Sequence, residues 1–224
     1  MTDVGRAVGH GEPSALAQTP EELAYEARAA EGAIWTGSRL AIGIGLFAFA
    51  SLAFAYFYLR SSNDYQLWRP NHMTAPTSTG AAILAFALAA AGLAALSSYR
   101  LRSRRSLDWQ VAGWSAVLSG LIALGLQIFE LTQLPFFPGA SGYASCFVGW
   151  GVLNIVLLLG AVYWSETLLA RFIRLHRAFT EEGGEAGSPL PAARLYRANA
   201  DGATAFWLFV ALAEVFFWAL FYAI

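Results

Sequence analysis

The chain has 224 residues, 57% of them hydrophobic and only 13% charged, with a formal net charge of -1 and a mean hydropathy of +0.49. A water-soluble domain of this size would lack polar residues for its surface, which excludes soluble enzymes and nucleic-acid-binding modules and makes a membrane the natural solvent. The single cysteine, Cys146, excludes a disulfide within the chain and any paired-cysteine metal motif.

Residues 1–38 read as a polar, acidic tail without the basic start, apolar stretch and small-residue cleavage site of a secretory signal, so the N-terminus is expected in the cytoplasm. Within it, Thr19-Pro20-Glu21-Glu22 is a helix start: Thr19 as N-cap, Pro20 at the first position and Glu22 as the reciprocal capping partner. The spacing predicts a short helix to about Gly32, either solvated beside the membrane or docked on a partner subunit.

Residues 39–224 hold five apolar segments, Leu40–Leu59, Gly80–Leu96, Val111–Phe129, Phe147–Leu169 and Ala203–Ile224. A hydrocarbon core of ~30 Å needs about 20 helical residues, and none of the segments alternates as a barrel strand would. The fold class is therefore an all-α integral membrane bundle of five transmembrane helices. The second segment is rich in Ala and carries Gly80 and Gly92, and small side chains of this kind predict a packed interior position. Glu181 to Ser188, acidic and Gly-rich, reads as a flexible loop.

All fourteen basic residues are Arg, and their distribution sets the orientation. Twelve fall in the N-terminal tail (Arg6, Arg28, Arg39), the second loop (Arg100, Arg102, Arg104, Arg105) and the fourth loop (Arg171, Arg174, Arg177, Arg194, Arg197), against two, Arg60 and Arg69, on the other side. The N-terminus is expected inside and the C-terminus outside, in a bacterial inner (plasma) membrane. Reporters fused after Arg105 and after Arg177 should stay cytoplasmic and one after Ile224 should be exported; an active alkaline phosphatase at Arg105 would remove the five-helix reading. The Arg100, Arg102, Arg104 and Arg105 cluster either holds this topology or binds lipid headgroups as well.

The three histidines, His10, His72 and His176, all lie outside the apolar segments. Haem held inside the membrane by two imidazoles, or copper held by three, would need histidines within the bundle. No cofactor, metal ligand or catalytic residue is therefore expected in this chain. An ionisable group near the bilayer centre costs a few kcal/mol or more. The polar residues that the segments tolerate are accordingly the candidate sites: Glu214 midway along the fifth, Asn154 in the fourth, Gln127 and Glu130 at the end of the third, and Glu166 near the cytoplasmic end of the fourth. They read either as an ion path or partner contact, or as interhelical hydrogen bonds that fix packing.

Several stretches taken together resemble subunit III of the haem-copper (cytochrome c) oxidases. The first segment ends Tyr56-Phe57-Tyr58-Leu59-Arg60, similar to the family's Tyr-Phe-x-x-Arg, and is followed by a Trp-bearing loop, Trp68-Arg69-Pro70. Gln127-Ile128-Phe129-Glu130 is similar to its Gln-x-aromatic-Glu, and Tyr143-Ala144-Ser145-Cys146-Phe147 to its Tyr-Gly-Ser-x-Phe. Trp207-Leu208-Phe209-Val210, with Tyr222 later in the same segment, resembles Trp-His-Phe-Val with its Tyr. Departures fall at Gly45, where the family has Glu, at Asn154 and Leu157, where it has two His, and at Leu208 and Ala211, where it has His and Asp.

The resemblance implies the five-helix form of the family: an accessory subunit without an active site, in an oxygen-reducing, proton-pumping complex of the aerobic electron transport chain. It implies haem and copper in partner subunits, packing against the large haem-bearing subunit and other respiratory-complex subunits, and bound phospholipid. An accessory subunit of a nitric-oxide reductase, or a small transporter or channel with Glu214, Asn154 and Gln127 along a path, are the alternatives.

Overall fold

Backbone N–H and C=O groups inside lipid have no water to bond, so an apolar chain satisfies them within helices. The computed structural model describes residues 20–62, 68–70, 74–103, 106–181 and 191–223, and among these there is no strand. The helices are α1 Pro20–Ser61, α2 Thr77–Arg102, α3 Ser106–Thr132, α4 Gly142–Glu181 and α5 Pro191–Trp218, the last continuing as a π-helical turn, Ala219–Ala223. Among the described residues five helices are long and apolar enough to cross a membrane.

Two expectations are corrected. No short helix stops at Gly32: α1 runs unbroken for 42 residues from Pro20 into the first span. A glycine inside a helix costs only about 1 kcal/mol relative to alanine, and no proline follows to end the helix. At ~1.5 Å per residue α1 is about 60 Å long, roughly twice the hydrocarbon thickness, so much of it stands outside the membrane. Thr19, the expected cap, lies outside the described residues, as do most of the Gly-rich loop, Arg6, Arg104, Arg105, His10 and His72.

Nor does α2 hold the packed interior position expected for it, since 33% of its apolar window is buried against 50% for α4 and for α5. Small residues do let it approach closely, but on one face only: Ile83, Ala87, Ala90, Ala91 and Ala94 are buried, while nothing faces Gly92 within 4 Å. Gly80 is on the packed side, where the Tyr222 ring occupies the space a Cβ would need. The enclosed helices α4 and α5 touch one another, with α1 against both, α3 against α4, α2 against α5, and α2 packed along α3.

The two ends of the bundle differ in chemistry. At one end the α1–α2 and α3–α4 connections meet the π-helical turn. The Tyr143 backbone N–H donates to the Trp68 carbonyl at 3.1 Å, Tyr56 Oη donates to Leu220 O at 2.8 Å, and Tyr143 Oη donates to Phe221 O at 3.2 Å. Helix-end carbonyls lack donor partners within the helix, and these two phenols supply them. We call this the tyrosine end. At the opposite end the Trp109 and Phe172 rings pack at a tilt, with centroids 4.4 Å apart, Ser98 and Thr204 share a 2.6 Å hydrogen bond, and Arg102 pairs with Asp201 at 2.8 Å.

Candidate functional site

Gln127 and Glu130 lie three residues apart on α3 and so share a face. That face turns towards α4 and α5. Gln127 Nε2 donates to Glu130 Oε2 at 3.1 Å, and across the interface Asn154 Nδ2, from α4, donates to Gln127 Oε1 at 2.8 Å. The Asn154 side chain also reaches the Glu214 carboxyl on α5, and the two carboxyls are close enough to interact through space. At the far side Tyr222 Oη donates to Glu130 Oε1 at 2.6 Å. A single polar network thus joins three helices, from the middle of α5 to the tyrosine end, and its four central side chains are 0–1% exposed.

The network is unevenly supplied with donors. Both oxygens of Glu130 accept a hydrogen bond, one from Tyr222 and one from Gln127. Glu214 Oε2 and Asn154 Oδ1 have no hydrogen-bond partner, although both atoms are buried. Trp150, one turn before Asn154 on α4, is 0% exposed and its indole N–H is also unpartnered, with Phe49, Phe216, Phe217 and Phe221 around its ring. Among the described residues neither carboxyl makes an ion pair. The arginines at the tyrosine end are occupied there: Arg60 donates to Tyr56 Oη at 3.1 Å, and the Arg69 guanidinium sits 4.5 Å from the Tyr143 ring centre.

Four of the five intramembrane candidates, Gln127, Glu130, Asn154 and Glu214, therefore belong to one site. Glu166 does not: it is exposed on α4 beyond the polar network. Of the arginine cluster, Arg100 pairs with Asp108 at 3.6 Å and Arg102 with Asp201, so both have protein partners besides any headgroup.

The positions that carried the family resemblance gather mainly at the tyrosine end. Tyr56, Trp68, Tyr143 and Phe221 pack edge to face, and Tyr143 stacks on Phe147. Ser145 accepts from the Gly139 N–H at 3.2 Å and donates to Ser141 O at 2.9 Å, holding the turn before α4. Trp207 lies deeper, donating to Ser165 Oγ at 2.8 Å. Phe209 lies against Gly45, where a Cβ would come within 2.6 Å of its ring. The space that a larger residue would need at position 45 is filled from α5.

Sequence reasoning missed Trp150 and the direct part of Tyr222 in the site. The signal for the first was its i, i+4 spacing to Asn154; nothing local pairs Tyr222 with Glu130. Among the described residues no three carboxylate, imidazole or thiolate groups come together as a metal site would require. Neither the protein-family models nor the curated proteins match this chain.

Proposed function

We propose that this chain is a non-catalytic accessory subunit, similar to subunit III, of a respiratory haem-copper terminal oxidase in a bacterial plasma membrane, where it braces the large haem-bearing subunit and binds lipid. The observation that carries the reading is the meeting of residues from four separate motifs. Tyr56 and Trp68, Gln127 and Glu130, Tyr143, and Tyr222 are far apart in sequence, yet they form the adjoining aromatic and carboxyl clusters at the tyrosine end. A bundle selected only for apolarity has no need of that convergence.

The outer faces fit an assembled subunit. Only 17% of the apolar window of α1 is buried, and Phe47, Phe54, Phe57 and Tyr58 are exposed on it. An apolar groove between α1 and α5, lined by Leu46, Phe49, Ala53, Phe209, Leu212 and Phe216, suits an acyl chain or a partner helix. An accessory subunit of a nitric-oxide reductase would use the same surfaces, and the gas reduced by the purified complex separates the two. The buried carboxyls favour a second reading, a small transporter or channel, because ionisable groups inside a membrane bundle commonly mark ion paths.

Purification of the tagged chain from its own membranes in mild detergent tests the choice. Reduced-minus-oxidised haem bands are expected to co-elute with it, together with oxygen consumption supported by cytochrome c or quinol. A stable homo-oligomer, free of any haem protein and active in ion flux, would overturn the oxidase reading in favour of transport.

A further inference from the structure

The buried network has two carboxyls and, among the described residues, no basic side chain to balance them. We propose that the Glu214–Asn154 end of this network is a binding site for one monocation, a proton or an alkali-metal ion, which locks α3, α4 and α5 together within the membrane. The inference does not depend on the oxidase reading; it rests on charge, burial and unpartnered oxygens.

Burying an isolated carboxylate is far more costly than burying a neutral polar group, so a positive charge must come from somewhere. Among the described residues no arginine pairs with either carboxyl. Around the pair α3 brings Gln127 and Glu130, α4 brings Asn154, Tyr143 and the Trp150 indole, α5 and its π-helical turn bring Glu214 and Tyr222, α1 brings Tyr56, and the buried face of α2 brings only Gly80, Ile83 and alanines at this level. Arg60 and Arg69 face the tyrosines, while Arg100 and Arg102 pair with aspartates at the opposite end.

The position of the site follows from the supply of donors. Glu130 already accepts from Tyr222 and Gln127, whereas Glu214 Oε2 and Asn154 Oδ1 are buried acceptors without a partner. Both are oxygens, and both residues are 1% exposed. A proton on Glu214 Oε2 would supply the missing donor and the charge together. An alkali-metal ion would instead coordinate the carboxylate and amide oxygens, which are the hard ligands such ions take. A divalent or transition metal would need more anionic or imidazole ligands than come together here.

The test uses the full chain in lipid nanodiscs, with its thermal midpoint followed by tryptophan fluorescence. In one arm sodium or lithium chloride replaces choline chloride at constant alkaline pH; in the other pH is lowered stepwise in choline chloride. A rise of several degrees in the first arm identifies an alkali-metal ion, and a rise confined to the second identifies a proton. Either rise is expected to vanish in Glu214→Gln, whose amide brings its own donor and no charge, and to persist, reduced, in Glu130→Gln. A flat wild-type response in both arms, as a neutral bound water would give, overturns the proposal. So does a shift that survives intact in Glu214→Gln. Should that variant not accumulate, infrared difference spectra of the wild type decide: carboxyl bands that change in neither arm reject the site.

Discussion

Asn154→Leu is expected to lower the stability of the bundle by about 2–5 kcal/mol, far more than the loss of one polar side chain usually costs in a membrane protein. Asn154, on α4, connects the α3 half of the network to Glu214 on α5: it donates to Gln127 Oε1 at 2.8 Å and reaches the Glu214 carboxyl. Leucine has as many side-chain heavy atoms and leaves no cavity, while Gln127 Oε1 loses its donor and the Glu214 carboxyl loses its polar neighbour. Each such loss costs roughly 1–3 kcal/mol. Average interhelical hydrogen bonds in membranes contribute only ~0.6 kcal/mol, because displaced groups find other partners. Here the acceptors are 0–1% exposed, so water does not replace the lost amide, and the unpartnered Trp150 N–H is held among Phe49, Phe216, Phe217 and Phe221. Ser51→Ala is the matched control, since the Ser51 hydroxyl is exposed and bonds only to Phe47 O on its own helix at 2.9 Å. That variant should change stability by no more than ~0.5 kcal/mol. Detergent-titrated unfolding in mixed micelles measures both, and equal effects would show that Asn154 bridges nothing.

The parts of this fold that the sequence made legible are those that depend on one helix at a time. Length and apolarity predicted the five spans, and i, i+3 spacing placed Gln127 and Glu130 on one face. The continuity of α1 was not legible, because Gly32 looks like a break; nothing lies within 4 Å of its would-be Cβ, and the helix passes through it. The place of α2 was misread for a related reason. Its alanines are alike in sequence all round the helix, and only contacts with α3 and α5 show that one face alone is buried.

The site was legible residue by residue but not as a unit. Gln127 and Asn154 each read naturally as a local packing hydrogen bond, and Glu214 as an isolated carboxyl. Their connection crosses from α3 to α4 to α5, and sequence spacing has no term for side chains that meet between helices. Tyr222 illustrates the same limit. Ninety-two positions separate it from Glu130, yet their side chains share the shortest hydrogen bond in the network. Packing also accounts for a departure from the family pattern: Phe209 occupies the space beside Gly45, so an acidic side chain there would collide with it.

The second large effect is expected at a contact without any charge. Trp207, on α5, is fully buried, and its ring lies against Gly120 of α3, with Val162 of α4 beside the same glycine. A Cβ on Gly120 would overlap Trp207 Cη2, and would lie 2.9 Å from Val162 Cγ2 and 3.0 Å from Trp207 Cζ2. The ring cannot simply retreat, because its N–H donates to Ser165 Oγ at 2.8 Å and moving away would leave that donor bare. Gly125 sits on the same helix with nothing within 4 Å of its would-be Cβ. Alanine improves helix propensity by up to ~1 kcal/mol at either position, so the two glycines separate propensity from packing. Gly125→Ala should be neutral or slightly stabilising. Gly120→Ala should instead destabilise by about 1–3 kcal/mol despite the same gain, and Gly120→Leu should prevent α3 from seating and abolish accumulation of the folded chain. Trp207→Phe, harmful alone through the space it leaves, should be less harmful in the Gly120→Ala background, because the smaller ring makes room for the added methyl. Detergent-titrated unfolding of the four alanine and phenylalanine variants reads this coupling. If Gly120→Ala behaves as Gly125→Ala does, Trp207 does not clamp α3 to α4 and α5.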